Sequence, residues 1–171
     1  MKSKSGHRIR RAEQRDFAAV ASLRRYLSRQ ESRARPEHFR TEPLGLTEAF
    51  FAAMLAERNV TTLVIESESG AIAGYAIVWI GLNWGSDWTY PARVGYLREI
   101  AVDELFRRQG LGRELLAAAE AVAQREQAET LGLHVTAGNA KARAFYQAEG
   151  FGTTGEYRHK ILNPVVRLEN H

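Results

Sequence analysis

The chain has 171 residues, a length suited to one domain with a substantial core. Hydrophobic residues make up 44% and charged residues 26%, which excludes a wholly disordered chain. There is no cysteine, so disulfides, thiolate metal sites and cysteine nucleophiles are excluded, and no apolar run approaches the roughly 20 residues that cross a bilayer. The net charge of +4 is unevenly spread: residues 1–40 carry 12 Lys and Arg against 4 Asp and Glu, and the rest of the chain carries 12 against 16. A charge run of this kind is usually a solvated face, so nucleic acid is not the expected partner. The start MKSKSGHRIRR is basic with no apolar segment behind it, which reads as cytoplasmic. Residues 1–7 read as a loose leader and 8–171 as a single domain.

In chain order, HRIRRA is expected to be a short strand. Asp16 then offers an N-cap for a helix whose apolar residues Phe17, Val20, Leu23 and Leu27 recur at three- and four-residue intervals. Pro36, Pro43 and Gly45 break any helix in the stretch that follows. Thr47 caps a second helix carrying Phe50, Phe51, Met54 and Leu55. TTLVIE and AIAGYAIVWI, separated by SESG, predict a β-hairpin. RVGYLREIAV is the next strand and LGLHVTA a later one, with His134 inside it. Between them lies an amphipathic helix with Leu111, Leu115, Ala119 and Val122 on one face. Strand, helix and strand at this spacing form a βαβ unit, which requires parallel pairing and a right-handed crossover. NAKARAFYQAEG gives a last helix, capped by Asn139 and stopped by Gly150, and a strand pair is expected to finish the chain.

Chemistry is concentrated in RRQGLGRELL, residues 107–116. Gly110 and Gly112 stand where a strand hands over to a helix, whose first N–H groups have no partner inside it. Two positions without Cβ let a bulky anion approach the peptide plane, and the helix dipole with Arg107, Arg108 and Arg113 adds positive potential. A phosphate or pyrophosphate fits. The dinucleotide pattern G-x-G-x-x-G fails because Leu115 stands at its third glycine, and the G-x-x-x-x-G-K-[ST] pattern fails as well. Nicotinamide and ATP cofactors are thereby set aside.

RRQGLG resembles the R/Q-x-x-G-x-G/A motif of the GCN5-related N-acetyltransferases, with Arg107, Gly110 and Gly112 in the matching places. LREIAVDELFRRQGLGRELL is similar to that family's central strand, loop and cofactor helix, and NAKARAFYQAEGF to its later Asn-to-Tyr segment. The resemblance spans Val94 to Tyr157. It implies a mixed, mostly antiparallel sheet with a splayed parallel strand pair, flanked by about four helices. It implies acetyl-coenzyme A as cofactor, its pyrophosphate on the N–H groups from Gln109 through Gly110, Leu111 and Gly112 to Arg113. The pantetheine arm would lie along the main chain of Ile100, Ala101 and Val102, since an opened strand edge leaves peptide groups that an amide-bearing arm can satisfy.

Acetyl transfer to an amine needs a polarised carbonyl, a proton for the departing thiolate and a neutral nitrogen. The Val102 N–H is the expected oxyanion donor. The resemblance makes Tyr146 the general acid or thiol contact; packing beside Phe145 is the plainer alternative. Glu99, three residues before Val102, is the candidate base or amine ligand, with a surface salt bridge as its alternative. Asn139 caps its helix and, by resemblance, contacts the cofactor; Arg143 one turn on points to a phosphate or to solvent. No paired-histidine spacing such as H-E-x-x-H occurs, so no metal is expected.

The segment LNWGSDWTYP places Trp84, Trp88 and Tyr90 around Asp87, a composition suited to a cationic amine. Packing of these aromatics on the sheet or on a partner is the alternative. The expected partner is a small amine or peptide amine acceptor, and related proteins often form homodimers. The rival readings are a non-catalytic acyl-coenzyme A sensor of the same fold and a nucleic-acid module using the basic N-terminal region.

Overall fold

The computed structural model describes residues 6–34, 45–156 and 158. Five strands form one sheet in sequential order: β1 (Arg8–Arg11), β2 (Val60–Glu66), β3 (Ile72–Asn83), β4 (Ala92–Val102) and β5 (Thr130–Leu133). The first three pairings are antiparallel and β4 with β5 is parallel, as the βαβ spacing requires. Helices α1 (Phe17–Ala34) and α2 (Glu48–Ala56) cover one face, and α3 (Leu111–Arg125) with α4 (Ala140–Ala148) covers the other. The expected mixed sheet flanked by four helices is therefore the fold.

Period-two alternation sorts β2 and β3 between two cores. Leu63, Ile65, Ala76, Val78 and Ile80 pack with Leu111, Leu115, Leu116, Ala119 and Val122 of α3. Val64, Tyr75 and Ile77 pack with Val20, Leu23, Phe51 and Met54 of α1 and α2. A strand buried on both faces reads as an unbroken apolar run, which is why TTLVIE and AIAGYAIVWI lack polar alternation.

Local capping follows the sequence closely. Thr47 accepts from the Phe50 N–H at 3.2 Å, and Asn139 from the Ala142 N–H at 3.1 Å. Gly150, at φ 89°, closes α4: its N–H donates to Gln147 and the Phe151 N–H to Tyr146.

Two expectations need correction, and a third lies outside the described residues. Asp16 is not the N-cap of α1. A 3₁₀ turn, Gln14–Asp16, runs straight into that helix, and the buried Asp16 carboxylate accepts from both terminal nitrogens of Arg10 at 2.6 and 2.9 Å and from the Glu13 N–H at 2.8 Å. A two-nitrogen guanidinium fork outbids a single helix N–H. β5 is shorter than LGLHVTA and ends at Leu133, leaving His134 exposed beyond it. The C-terminal strand pair falls almost wholly outside the described residues, and 151–156 carry no regular structure.

Candidate active site

The site is built where β4 and β5 part. Their ladder runs from Val94 with Thr130 to Leu97 with Leu133 and stops, while β4 continues to Val102 paired with β3 alone. The Asp103 N–H donates to the Ala73 carbonyl at 2.9 Å. The two-residue period of an antiparallel ladder then turns the peptide groups of Ala101 toward β3 and those of Ile100 and Val102 toward the open side. Of the three residues expected along the pantetheine arm, Ile100 and Val102 thus offer their amides, whereas Ala101 has spent its own on the sheet.

At the end of this edge stands the mouth of α3. Gly110 is its N-cap at φ 84°, and its carbonyl accepts the first helical bond, from the Glu114 N–H at 3.1 Å. The N–H groups of Leu111, Gly112 and Arg113 precede any intrahelical partner and face outward. A cavity of about 360 Å³ lies there, lined by Val102, Phe106, Arg108, Gly110, Gly112 and Phe145 among others. A Cβ built on Gly112 would point at Phe145 and Val102 from 3.9 and 4.0 Å, so a side chain there would enter the cavity. Outward N–H groups, a bare backbone and room beside them fit a pyrophosphate.

The arginines of the motif behave differently from the expectation of free positive charge. Arg107 donates from Nε to the Val102 carbonyl at 3.1 Å, pairs with Glu104 at 3.1 Å and stacks over the Tyr26 ring at 5.0 Å. Tyr26 also donates to Glu104. Arg113 is paired with Glu149 at 2.7 Å, joining α3 to α4. These carboxylates offset the two charges, whereas Arg108 lines the cavity with no carboxylate partner among the described residues. Arg108 holds a left-handed φ of 62° in the loop. α1 is tied to this region a second time, as Thr136 beyond β5 donates to Glu31 at 3.1 Å.

The chain belongs to the acetyltransferase (GNAT) family. Its family model matches residues 20–151, a span holding both the split strand pair and the α3 mouth. No curated protein matches the sequence. Among solved structures, a mutant of the Bacillus halodurans protein BH1408 is 24% identical with a TM-score of 0.86, covering 91% of this chain and 99% of that one. An aminoglycoside acetyltransferase from an uncultured soil metagenomic sample, in complex with sisomicin, is 17% identical with a TM-score of 0.69 over 92% and 95% of the chains. Aminoglycoside N-acetyltransferase AAC(6')-Iy in complex with CoA is 18% identical with a TM-score of 0.65 over 90% and 100%. At these identities the likeness speaks to the fold.

Within this GNAT frame the remaining candidates separate. Tyr146 on α4 is half-buried between Phe145 and Phe151, with ring centroids 5.3 and 5.7 Å away, and burial pushes its phenol pKa up. Glu99 sits on the α1 side of β4, accepting from the Tyr75 hydroxyl at 2.7 Å and pairing with Arg24 at 3.0 Å. Burial, then the neighbouring carboxylate, raises Tyr75 far above the usual phenol range, so it remains a donor. Asn139 spends its side-chain oxygen on the helix cap, and exposed Arg143 donates to the Ala137 carbonyl at 3.2 Å; neither lines the cavity.

The aromatic loop is not brought to this place. Trp84, Trp88 and Tyr90 are 80%, 89% and 93% exposed at the β3–β4 turn, and Asp87 is exposed between them. From Ala92 to Val102 the strand spans about 33 Å at roughly 3.3 Å per residue, so the loop and the α3 mouth occupy opposite ends. The aromatics do not pack on the sheet either. A separate concavity of about 480 Å³, lined by Trp79, Val94, Tyr96 and Arg98 among others, lies along the half of β4 nearer that loop.

Sequence reasoning passed over Arg24, Tyr75, Tyr26 and Phe106. Arg24 and Tyr26 belong to the basic helix, which read as a solvated face, and Tyr75 to an apolar run. Their roles arise only from strand register. Of the basic N-terminal stretch, Arg10, Arg15 and Arg24 are paired with carboxylates. Among the described residues no helix is long and apolar enough to cross a membrane.

Proposed function

We propose that the protein transfers an acetyl group from acetyl-coenzyme A to a primary amine. The observation that carries this reading is the continuity of the open β4 edge with the bare N–H row at the mouth of α3. That geometry suits a long amide-bearing ligand ending in a diphosphate.

The cofactor supplies the activated thioester. Leu111, Gly112 and Arg113 hold its pyrophosphate through main-chain N–H groups, and Gly112 leaves the space for it. Ile100 would pair with the pantetheine arm as a neighbouring strand does, while the Val102 carbonyl stays with Arg107. The Val102 N–H points into the gap and serves as the oxyanion donor, a role worth about 3 kcal/mol of barrier where such donors have been removed elsewhere. Tyr146 would supply the proton that the cofactor's thiolate needs on leaving. Its raised pKa keeps the phenol protonated at neutral pH, and its hydroxyl makes no hydrogen bond to a described residue, which leaves that proton available. Glu99 would hold the acceptor's amine, which is protonated in water, and take the proton it must lose before attack.

Calorimetry with coenzyme A on the wild type and on Gly112→Trp tests the placement. The indole fills the cavity, so affinity is expected to fall by more than 100-fold; unchanged affinity would overturn the reading. Thiol release across a panel of primary amines then tests turnover. Tight coenzyme A binding with no release for any amine would favour the sensor reading instead.

A further inference from the structure

On the α1 side of β4, four elements meet around one ion pair. Arg24, from α1, places Nη2 3.0 Å from Oε1 of Glu99 on β4. Its guanidinium carbon stands 6.0 Å from the ring centroid of Phe50 on α2. Tyr75 of β3 donates to the other Glu99 oxygen at 2.7 Å, which fixes the carboxylate. An oriented carboxylate together with an aromatic face is the donor set that recognises organic cations.

The occupant is not locked in. The Arg24 side chain is 32% exposed and that of Glu99 20%, so solvent reaches the pair. Ion pairs open to water contribute little to stability, because screening and side-chain ordering offset most of the attraction. Phe50 is half-exposed as well, so α2 does not close over the guanidinium. Arg10 provides a contrast within the same protein: its side chain is 12% exposed and is held by Asp16, itself buried at 4%.

We propose that Glu99, Phe50 and Tyr75 form the seat for the cationic group of the acceptor, and that Arg24 is its resident occupant, displaced when an ammonium or guanidinium enters. This rests on the proposed acetyl transfer and names the residues that meet the charge of its acceptor. Arg24 then acts as a competitor that lowers affinity for weakly charged amines, and its departure exposes Oε1 of Glu99 to the incoming nitrogen.

Ethylguanidine, a cation with no primary alkylamine to acetylate, reports on the seat without turnover. Calorimetry is expected to give at least tenfold tighter ethylguanidine binding to Arg24→Met than to the wild type. Arg24→Lys, which keeps a resident cation, should remain weak, and adding Glu99→Gln to Arg24→Met should abolish the gain. With spermidine as acceptor, KM should fall several-fold in Arg24→Met while coenzyme A affinity is unchanged. Equal ethylguanidine binding by the wild type and Arg24→Met overturns the proposal, as does a higher spermidine KM at unchanged coenzyme A affinity. Should Arg24→Met fail to fold, Arg24→Gln carries the same comparison. If no amine is acetylated but ethylguanidine binds as expected, the seat stands and acetyl transfer falls.

Discussion

Leu97 and Glu99 lie two residues apart on β4 and face opposite sides of the sheet. Leu97 pairs with Val78 and packs under α3, whereas Glu99 pairs with Ile77 and meets Arg24 of α1. Arg98 is the extra residue between them, a β-bulge that reverses the facing order of the strand. Were Arg98 paired as an ordinary strand residue, Glu99 and Leu97 would share one face and the carboxylate would enter the α3 core.

Deletion of Arg98 should be tolerated for the same reason. It leaves Leu97 and Glu99 adjacent, opposite the adjacent Val78 and Ile77, so both side chains keep their faces and the loss should stay below about 3 kcal/mol. Arg98→Ala keeps the bulge and should lie within about 0.5 kcal/mol of wild type. Urea unfolding of both variants checks this; a deletion variant that does not fold would show that the bulge itself is required.

Gly110 and Gly112 are needed for different reasons, and alanine separates them. At Gly110 a Cβ meets open space but the backbone sits at φ 84°, so Gly110→Ala should cost about 1 kcal/mol through strain alone. Gly112 has a helical setting and an unobstructed Cβ, so Gly112→Ala should be neutral or up to about 1 kcal/mol more stable. Coenzyme A affinity should nonetheless drop in Gly112→Ala. Equilibrium unfolding combined with calorimetry would expose an error in either half.

Tyr146→Phe should lower kcat by about 100-fold, at the modest end for loss of a general acid, with coenzyme A affinity held within about twofold. Burial raises the Tyr146 pKa, and an acid works only while protonated. The alkaline limb of wild-type kcat that reports this group should accordingly lie above the ordinary phenol range. A Phe variant with full kcat removes Tyr146 from this role.

The Asp16 carboxyl predicts a pH dependence of stability. Burial alone pushes its pKa up, but hydrogen bonds from Arg10 and the Glu13 N–H outweigh it, and the net position is below the ordinary 3.8. A carboxyl depressed in the folded state contributes stability that is fully present above its unfolded value and is lost as pH falls through the folded one. Wild-type denaturation midpoints should decline below about pH 4. Asp16→Asn should be destabilised by about 3 kcal/mol at neutral pH and show a flatter acid dependence. An unchanged neutral-pH midpoint would show that the pair contributes nothing.

Elements whose determinants are local were legible in the chain itself. Thr47 and Asn139 cap helices because their side chains bond N–H groups three residues on, and Gly150 ends one because it tolerates φ 89°. The apolar face of α3 and the two-sided burial of β2 and β3 follow from periodicity. The candidate anion site was legible for the same reason, since bare glycines, free N–H groups and the helix start all lie within one turn. What the tertiary structure alone decided are relationships between residues far apart in sequence. The β4 bulge, the end of the β4–β5 ladder at Leu97, the pairing of Arg113 with Glu149 and the meeting of Arg24, Tyr75 and Glu99 depend on strand register and helix placement. Composition and periodicity are blind to register, because shifting one strand past another leaves every local pattern intact while changing which side chains meet.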